Sequence, residues 1–150
     1  MHKVGGYMKV IIGAVIEKDG KVLLVQEGKE KCYGKWNLPA GHLEPNESLI
    51  DGIKREIKEE TGCEAEITGL LTVGNTLIKD DIMIGIVFKA ELLNETISFD
   101  GKEIIDVKYF DIDDILNNMD NELRNTSYIK PPVKVLKEGK VNNIDMVNII

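Results

Sequence analysis

The chain has 150 residues, 43% hydrophobic and 30% charged, with a net charge of −7. That is enough for one domain, residues 1–150, with a real core, and the composition does not indicate disorder. The acidic balance excludes a general binder of nucleic acid polymers or anionic membranes, which needs a basic face, but it admits a small polyphosphate if cations bridge the charges.

Taken in order, Tyr7 to Ile16 is rich in Val and Ile and reads as a buried strand. Asp19-Gly20 is a hairpin turn signal, and Val22 to Gln26 is the return strand. Glu27 to Lys35 is charged and reads as a loop. Pro39 and Gly41, close behind Trp36, predict a sharp bend rather than a continuing central strand. A helix is expected from about Glu47 to Thr61, capped by Asn46 or Ser48 and stopped by Gly62, with Leu49, Ile53 and Ile57 forming one apolar stripe. Glu64 to Leu77 is extended, with Gly69 and Gly74 as candidate bulges. Lys79-Asp80-Asp81 is a turn, and Ile82 to Leu93 a second apolar strand. Asn94 to Lys102 is loop-like, with a short strand at Ile97 to Phe99. Ile104 to Phe110 is another strand, and Asp111 opens a short helix through Met119. Pro131-Pro132 suits the first turn of a last helix ending at Lys137. The tail from Asn142 is read as a short strand. Strands and helices mix without strict alternation, so the class is α/β with a mixed sheet.

Cys32 and Cys63 match no zinc spacing and no disulfide framework, which fits a reduced, cytoplasmic chain. No stretch approaches the ~20 apolar residues of a membrane span, and MHKVGGYMK lacks the apolar run of a signal peptide. The terminal His2 is expected to carry no role.

The chemistry concentrates between Gly41 and Cys63. At 100° per residue, Glu56, Glu59 and Glu60 fall within about a 100° arc of a helix surface. Three carboxylates there repel one another unless a cation lies between them. The bland reading is a solvated acidic face with Lys54, Arg55 and Lys58 as helical partners. The sharper one is a set of hard oxygen ligands for Mg²⁺, with Mn²⁺ as an alternative. Glu47 projects roughly opposite Glu56 on an ideal helix and reaches such a site only if the helix start bends.

The fixed frame decides between these readings. Gly41, then Glu47, then Arg55-Glu56-Ile57-Lys58-Glu59-Glu60-Thr61-Gly62-Cys63 resembles the Nudix box, G-x5-E-x7-R-E-U-x-E-E-x-G-U, with Cys63 in place of the final aliphatic residue. Seven fixed positions at roughly 6% usage each would match by chance on the order of once in 10⁹ starts. The resemblance implies an α/β/α sandwich around a mixed sheet. It also implies hydrolysis of a nucleoside diphosphate linked to another moiety. Within it, Glu56, Glu59 and Glu60 hold the metal, Glu47 and the Gly41 carbonyl assist, and Arg55 orients the glutamates. Glu59 and Glu103 are the candidates for general base. Trp36 is a candidate base-stacking residue, with a core role as its alternative, and His42 is expected to be structural. Homodimers are common in the family.

Features outside the box bear on the substrate. The Pro typical of members acting on ADP-ribose, the Tyr of diadenosine polyphosphate members and the SQPWPFPxS array of NADH members are absent. The run Leu38-Pro39-Ala40-Gly41-His42-Leu43-Glu44 and the stretch from Leu123-Arg124 to Met146 are similar to NudJ-type phosphatases, although Thr126 takes the place of a Pro. This implies a nucleoside di- or triphosphate or a similar small pyrophosphate as substrate, with Arg124 in its pocket. The alternatives are a housecleaning pyrophosphatase for oxidised nucleotides and a non-catalytic nucleotide-sensing module.

Overall fold

The computed structural model describes residues 7–78 and 80–150. His2 and the Lys79 of the expected turn lie outside them. Strands β1 (Met8–Lys18) and β2 (Lys21–Glu27) are joined by a tight turn in which Asp19 and Gly20 both take positive φ, 52° and 77°. Asp and Gly tolerate that conformation best, and it matches the twist of a hairpin. β3 (Trp36–Asn37) and β4 (Ala40–His42) follow, then helix α1 (Leu49–Thr61), the long strands β5 (Ala65–Ile78) and β6 (Asp81–Leu92), β7 (Ile104–Asp111), α2 (Ile112–Asn117) and α3 (Thr126–Lys137).

The strands form one mixed sheet in two halves that share β1. Residues 8–16 of β1 run parallel to β6, which pairs antiparallel with β5, while Ile11 to Gly13 pair antiparallel with β4. The end of β1 pairs with β2, which carries β3 and β7. β3 and β4 thus belong to opposite halves, and Leu38-Pro39 carries the chain across. The expected bend at Pro39 is real, with a short strand on each side of it.

Side-chain alternation along the strands splits the core into two layers. Ile12, Ala14 and Ile16 of β1 and Leu23 and Val25 of β2 pack under Ile53 and Ile57 of α1. Val15, Val22 and Leu24 point the other way, onto Ile115 of α2 and Ile129, Val133 and Leu136 of α3. The arrangement is the expected α/β/α sandwich. Gly13 and Gly85 leave a slot in the second face. A Cβ on Gly13 would lie 2.5 Å from the Tyr128 hydroxyl, and one on Gly85 3.1 Å from its ring.

Five local expectations shift. α1 begins at Leu49 rather than Glu47, because the Ser48 hydroxyl accepts the Asp51 N–H and caps it there; Gly62, at φ 75°, ends it as expected. Replacing Ser48 with Ala should lower stability by about 1 kcal/mol in urea denaturation, the usual cost of losing a cap. α3 begins five residues before Pro131, at an Asn125 cap, with both prolines inside it. Burial of Ile129, Val133 and Leu136 along one stripe outweighs the missing N–H groups. Bulges in β5 fall between Ile67 and Gly69 and between Leu70 and Thr72, whereas Gly74 stays in register opposite Gly85. Ile97 to Phe99 is irregular, and the tail makes a single bridge, Asn142 to Leu70, and a short 3₁₀ turn at Ile144–Met146. Among the described residues no helix is long and apolar enough to cross a membrane.

Candidate active site

Strand β4 and the outer face of α1 meet at one end of the sheet. The pairing of Gly41 with Ile12 fixes β4 against the helix. A Cβ on Gly41 would lie 2.2 Å from the Glu56 carboxyl carbon, so only glycine lets the strand pass this close to the carboxylates. The Ala40 N–H donates to Glu60 Oε1 at 3.2 Å. Glu56 is buried, Glu60 half-buried, and Glu59, one turn from Arg55, is 58% exposed.

Arg55 organises this face. Its Nη1 donates to Glu56 Oε1 at 2.8 Å and to Glu59 Oε2 at 3.3 Å, and its Nη2 donates to the His42 carbonyl at 3.0 Å. Nε and Nη2 make a two-bonded fork on Glu47, at 2.9 and 2.7 Å. A planar guanidinium with five donors can serve several acceptors at once in a way that an ammonium cannot.

Glu47 differs from its expected role as a metal ligand. It lies in the turn before α1, not on the helix, and folds back so that both oxygens are engaged. Oε1 also accepts the Glu44 N–H at 2.7 Å. Its carboxyl is pushed down to about 2, first by the Arg55 hydrogen bonds. Glu47 holds Arg55 in place and does not line the cleft.

Glu56 and Glu60 behave oppositely. Burial raises the Glu56 carboxyl above the usual range, against the pull of Arg55. Burial raises Glu60 further, with the Glu56 charge adding to it. As placed, no three acidic, histidine or cysteine side chains among the described residues close into a ready cage. Two carboxylates whose ionised forms are disfavoured by burial and by neighbouring carboxylates, at the edge of an open cleft, are nevertheless relieved by a hard divalent cation. The donor set therefore fits Mg²⁺.

The cleft has a volume of about 1120 Å³ and runs from this face past β3 to the start of α3. Glu103 is on its rim, with its side chain 71% exposed and 4.0 Å from Lys29. Arg124 lines it. Trp36 does not: it is 8% exposed, packed edge-on against Phe110 at 4.7 Å, and part of the α2–α3 core. The β3 side chains alternate, so the one that turns to the cleft is its neighbour Asn37. The local pattern did not single out Asn37, Glu27 or Tyr128. Glu27 and Asn37 are buried polar residues in apolar strands, which is the one signal that could have marked them.

Comparison with known proteins agrees with this geometry. A family model described as NUDIX domain matches residues 7–129. The chain is 42% identical over 64 residues to the human 8-oxo-dGDP phosphatase NUDT18, a match covering 43% of this chain and 20% of that protein. It is 44% identical over 59 residues to phosphatase NudJ of Escherichia coli, covering 38% and 37%. It is 31% identical over 108 residues to an ADP-ribose pyrophosphatase of Methanocaldococcus jannaschii, covering 71% and 63%. The chain thus spans about a fifth of the length of NUDT18 and under two thirds of the other two. Among solved structures, a NUDIX hydrolase from Nitrosomonas europaea superposes with a TM-score of 0.78 at 28% identity, covering 96% of this chain and 98% of that one. With Glu56, Glu59 and Glu60 gathered on one helix face, the sandwich around them and a family model spanning most of its length, this chain belongs to the NUDIX hydrolase family.

Proposed function

We propose that the chain hydrolyses a phosphoanhydride bond in a nucleoside di- or triphosphate or a similar small pyrophosphate, with Mg²⁺ as cofactor and Mn²⁺ as a substitute. The observation that supports this most is the pair of carboxylates disfavoured by burial and by neighbouring charge, buried Glu56 and half-buried Glu60, facing a cleft large enough for a nucleotide.

Glu56, Glu59 and Glu60, with the Gly41 carbonyl, would hold the metal. When bound, the metal neutralises charge on the phosphates and lowers the pKa of bound water. Arg55 holds Glu56 and Glu59 in fixed rotamers, and Glu47 holds Arg55. Glu59 and Glu103 are the candidate general bases, since both carboxylates are exposed to water beside the cleft. Arg124 binds the substrate. The substrate enters as a small molecule, with no nucleic acid polymer and no membrane involved.

The name of one set of relatives favours a second reading within this class. NUDT18 proteins are named for an oxidised deoxyguanosine diphosphate, and housecleaning of oxidised nucleotides is therefore the alternative substrate choice. A non-catalytic sensor is less favoured, because every glutamate of the box is present.

Product formation from GDP, GTP, ADP, ATP, 8-oxo-dGDP, ADP-ribose and thiamin-precursor pyrophosphate, separated by anion-exchange chromatography so that phosphate, pyrophosphate and phosphomonoester products are all read, with Mg²⁺ and with EDTA, tests the proposal. Turnover that requires the metal on at least one of these is expected. Tight nucleotide binding with no turnover on any of them would favour the sensor.

A further inference from the structure

The cleft holds a second polar cluster that takes no part in the chemistry above. The segment before α3 runs beside β3: the Trp36 N–H donates to the Glu122 carbonyl at 2.8 Å, and the Arg124 N–H to the Trp36 carbonyl at 2.8 Å. This short ladder places three side chains together, although they come from β2, β3 and residue 124. Arg124 Nη1 donates to Glu27 Oε1 at 2.9 Å, and Asn37 Nδ2 donates to the same oxygen at 3.2 Å. Glu27 and Asn37 are 7% and 8% exposed, and all three residues line the cleft.

Asn37 Oδ1 has no partner. The amide cannot be turned to hide this, because the Glu27 carboxylate accepts only, so the Asn37 NH₂ must face it. A buried acceptor without a donor is costly, and such groups in folded proteins have an explanation. No N–H of the cluster is within hydrogen-bond distance of it. The cluster and the box glutamates line the same cleft. Asn37 is three residues from Ala40, whose N–H holds Glu60, so the two groups are at most ~10 Å apart along the backbone, within the span of one nucleotide.

Resting on the hydrolase reading, we propose that Glu27, Asn37 and Arg124 form the base-recognition site and that they select guanine-type bases. Two acceptors, the Asn37 amide oxygen and the Glu27 carboxylate, stand beside one fork of donors on Arg124. The guanine edge carries the complement: two N–H donors, ring and exocyclic, beside a carbonyl that accepts. The two-bonded pairing of Asn with adenine needs the amide NH₂ as a donor, and here Glu27 occupies it. Arg124 is suited to this role for a further reason. It is one of only two arginines in the chain, and the other is held by the glutamates.

The test uses the full chain. kcat/KM in Mg²⁺ is measured for GDP, ADP, UDP and their triphosphates. Equilibrium binding of GMP and AMP is measured in EDTA. Wild type is expected to favour guanine over adenine by roughly tenfold or more, in the range that a few base contacts supply. Asn37→Leu, similar in size and without the acceptor, and Arg124→Lys, which keeps the charge and loses the fork, should each bring that ratio close to one. Melting temperature is read in parallel. If Asn37→Leu proves unstable, the exposed Arg124→Lys alone decides. Equal binding of GMP and AMP to wild type, a preference for adenine or uracil, or an unchanged ratio in a folded variant would overturn the assignment. Absence of turnover on every nucleotide would sink the hydrolase reading instead, and the GMP and AMP titrations would still judge the base site.

Discussion

Glu60→Gln is expected to make the metal-free protein more stable at pH 7 while lowering kcat by roughly 10²- to 10³-fold, the scale for removing one preorganised electrostatic group from a site. The reason is that Glu60 is a carboxylate held against its own preference. It takes one hydrogen bond, from Ala40, and lies half-buried beside Glu56. Its folded pKa is raised above the ordinary 4.5, so ionising it costs more in the folded state than in the unfolded one. Stability from this group is therefore greatest below about pH 4.5 and declines as pH rises from there through the folded pKa. Glu56 has the same sign. Metal-free wild type should melt at a higher temperature when the pH drops from 8 to near 5, and the dependence should be weaker in Glu60→Gln. Mg²⁺ should raise the melting temperature of wild type at pH 8 and do much less for the variant. Scanning calorimetry with and without EDTA reads all of this. A variant that melts lower than wild type in EDTA and keeps near wild-type turnover would remove Glu60 from the metal site. Glu59→Gln, exposed and hydrogen-bonded only to Arg55, is expected to lose turnover with little change in melting.

Arg55→Ala should be the most damaging single change on this face for stability and activity together. It leaves Glu47 and Glu56, with side chains 14% and 11% exposed, without their cation. Removing one partner of a buried pair costs about 3 kcal/mol at the lower end of the usual range. Part of that loss depends on pH with a definite sign. Glu47 has a folded pKa of about 2 against an ordinary 4.5. Its contribution is fully present above pH 4.5 and is lost as pH falls toward 2. The gap between wild type and Arg55→Ala in urea midpoint should therefore narrow in acid. Arg55→Lys restores the charge but not the fork, so it should recover part of the stability and little of the kcat. A double-mutant cycle with Glu47→Gln would measure the pair itself. Full activity in Arg55→Lys would show that charge alone, without geometry, holds the glutamates.

The carboxylate face was more legible in the chain than the cluster proposed for the base, and the difference is one of sequence distance. Glu56, Glu59 and Glu60 sit on one helix, where a rotation of 100° per residue carries each side chain to its place without help from the rest of the fold. The helix itself was visible through Leu49, Ile53 and Ile57. An ideal helix put Glu47 opposite Glu56, with its reach to the site left to a bend at the helix start; α1 begins only after the Ser48 cap, and from the preceding turn the Glu47 side chain folds back to Arg55. Trp36 was given to the cleft for its chemistry, and the pleat of β3 gave it to the core and Asn37 to the cleft. The Glu27–Arg124 pair joins residues 97 apart in sequence. No local rule connects them, because the ladder beside Trp36 that brings them together is a tertiary feature. The prolines of α3 illustrate the same limit: a local stop signal yielded to a stripe that only the packed sheet can reward.

The sharing of β1 by both halves of the sheet also has a consequence for how the protein is made. Its long parallel partner is β6, and the paired residues Met8 and Ile82 are 74 positions apart. Parallel pairing at that separation is slow to form, because the loop must close before any contact rewards it. During synthesis the first strand emerges early and must wait for Asp81–Leu92. Until then the α1 stripe lacks Phe88 and Ala90, part of its floor. The carboxylate helix can be complete as a helix well before it has a sheet to lie on, so the catalytic face is assembled only after β6 leaves the ribosome. Any chain arrested before that point exposes a long apolar strand with an unpaired edge, the kind of segment that chaperones hold and that aggregates without them.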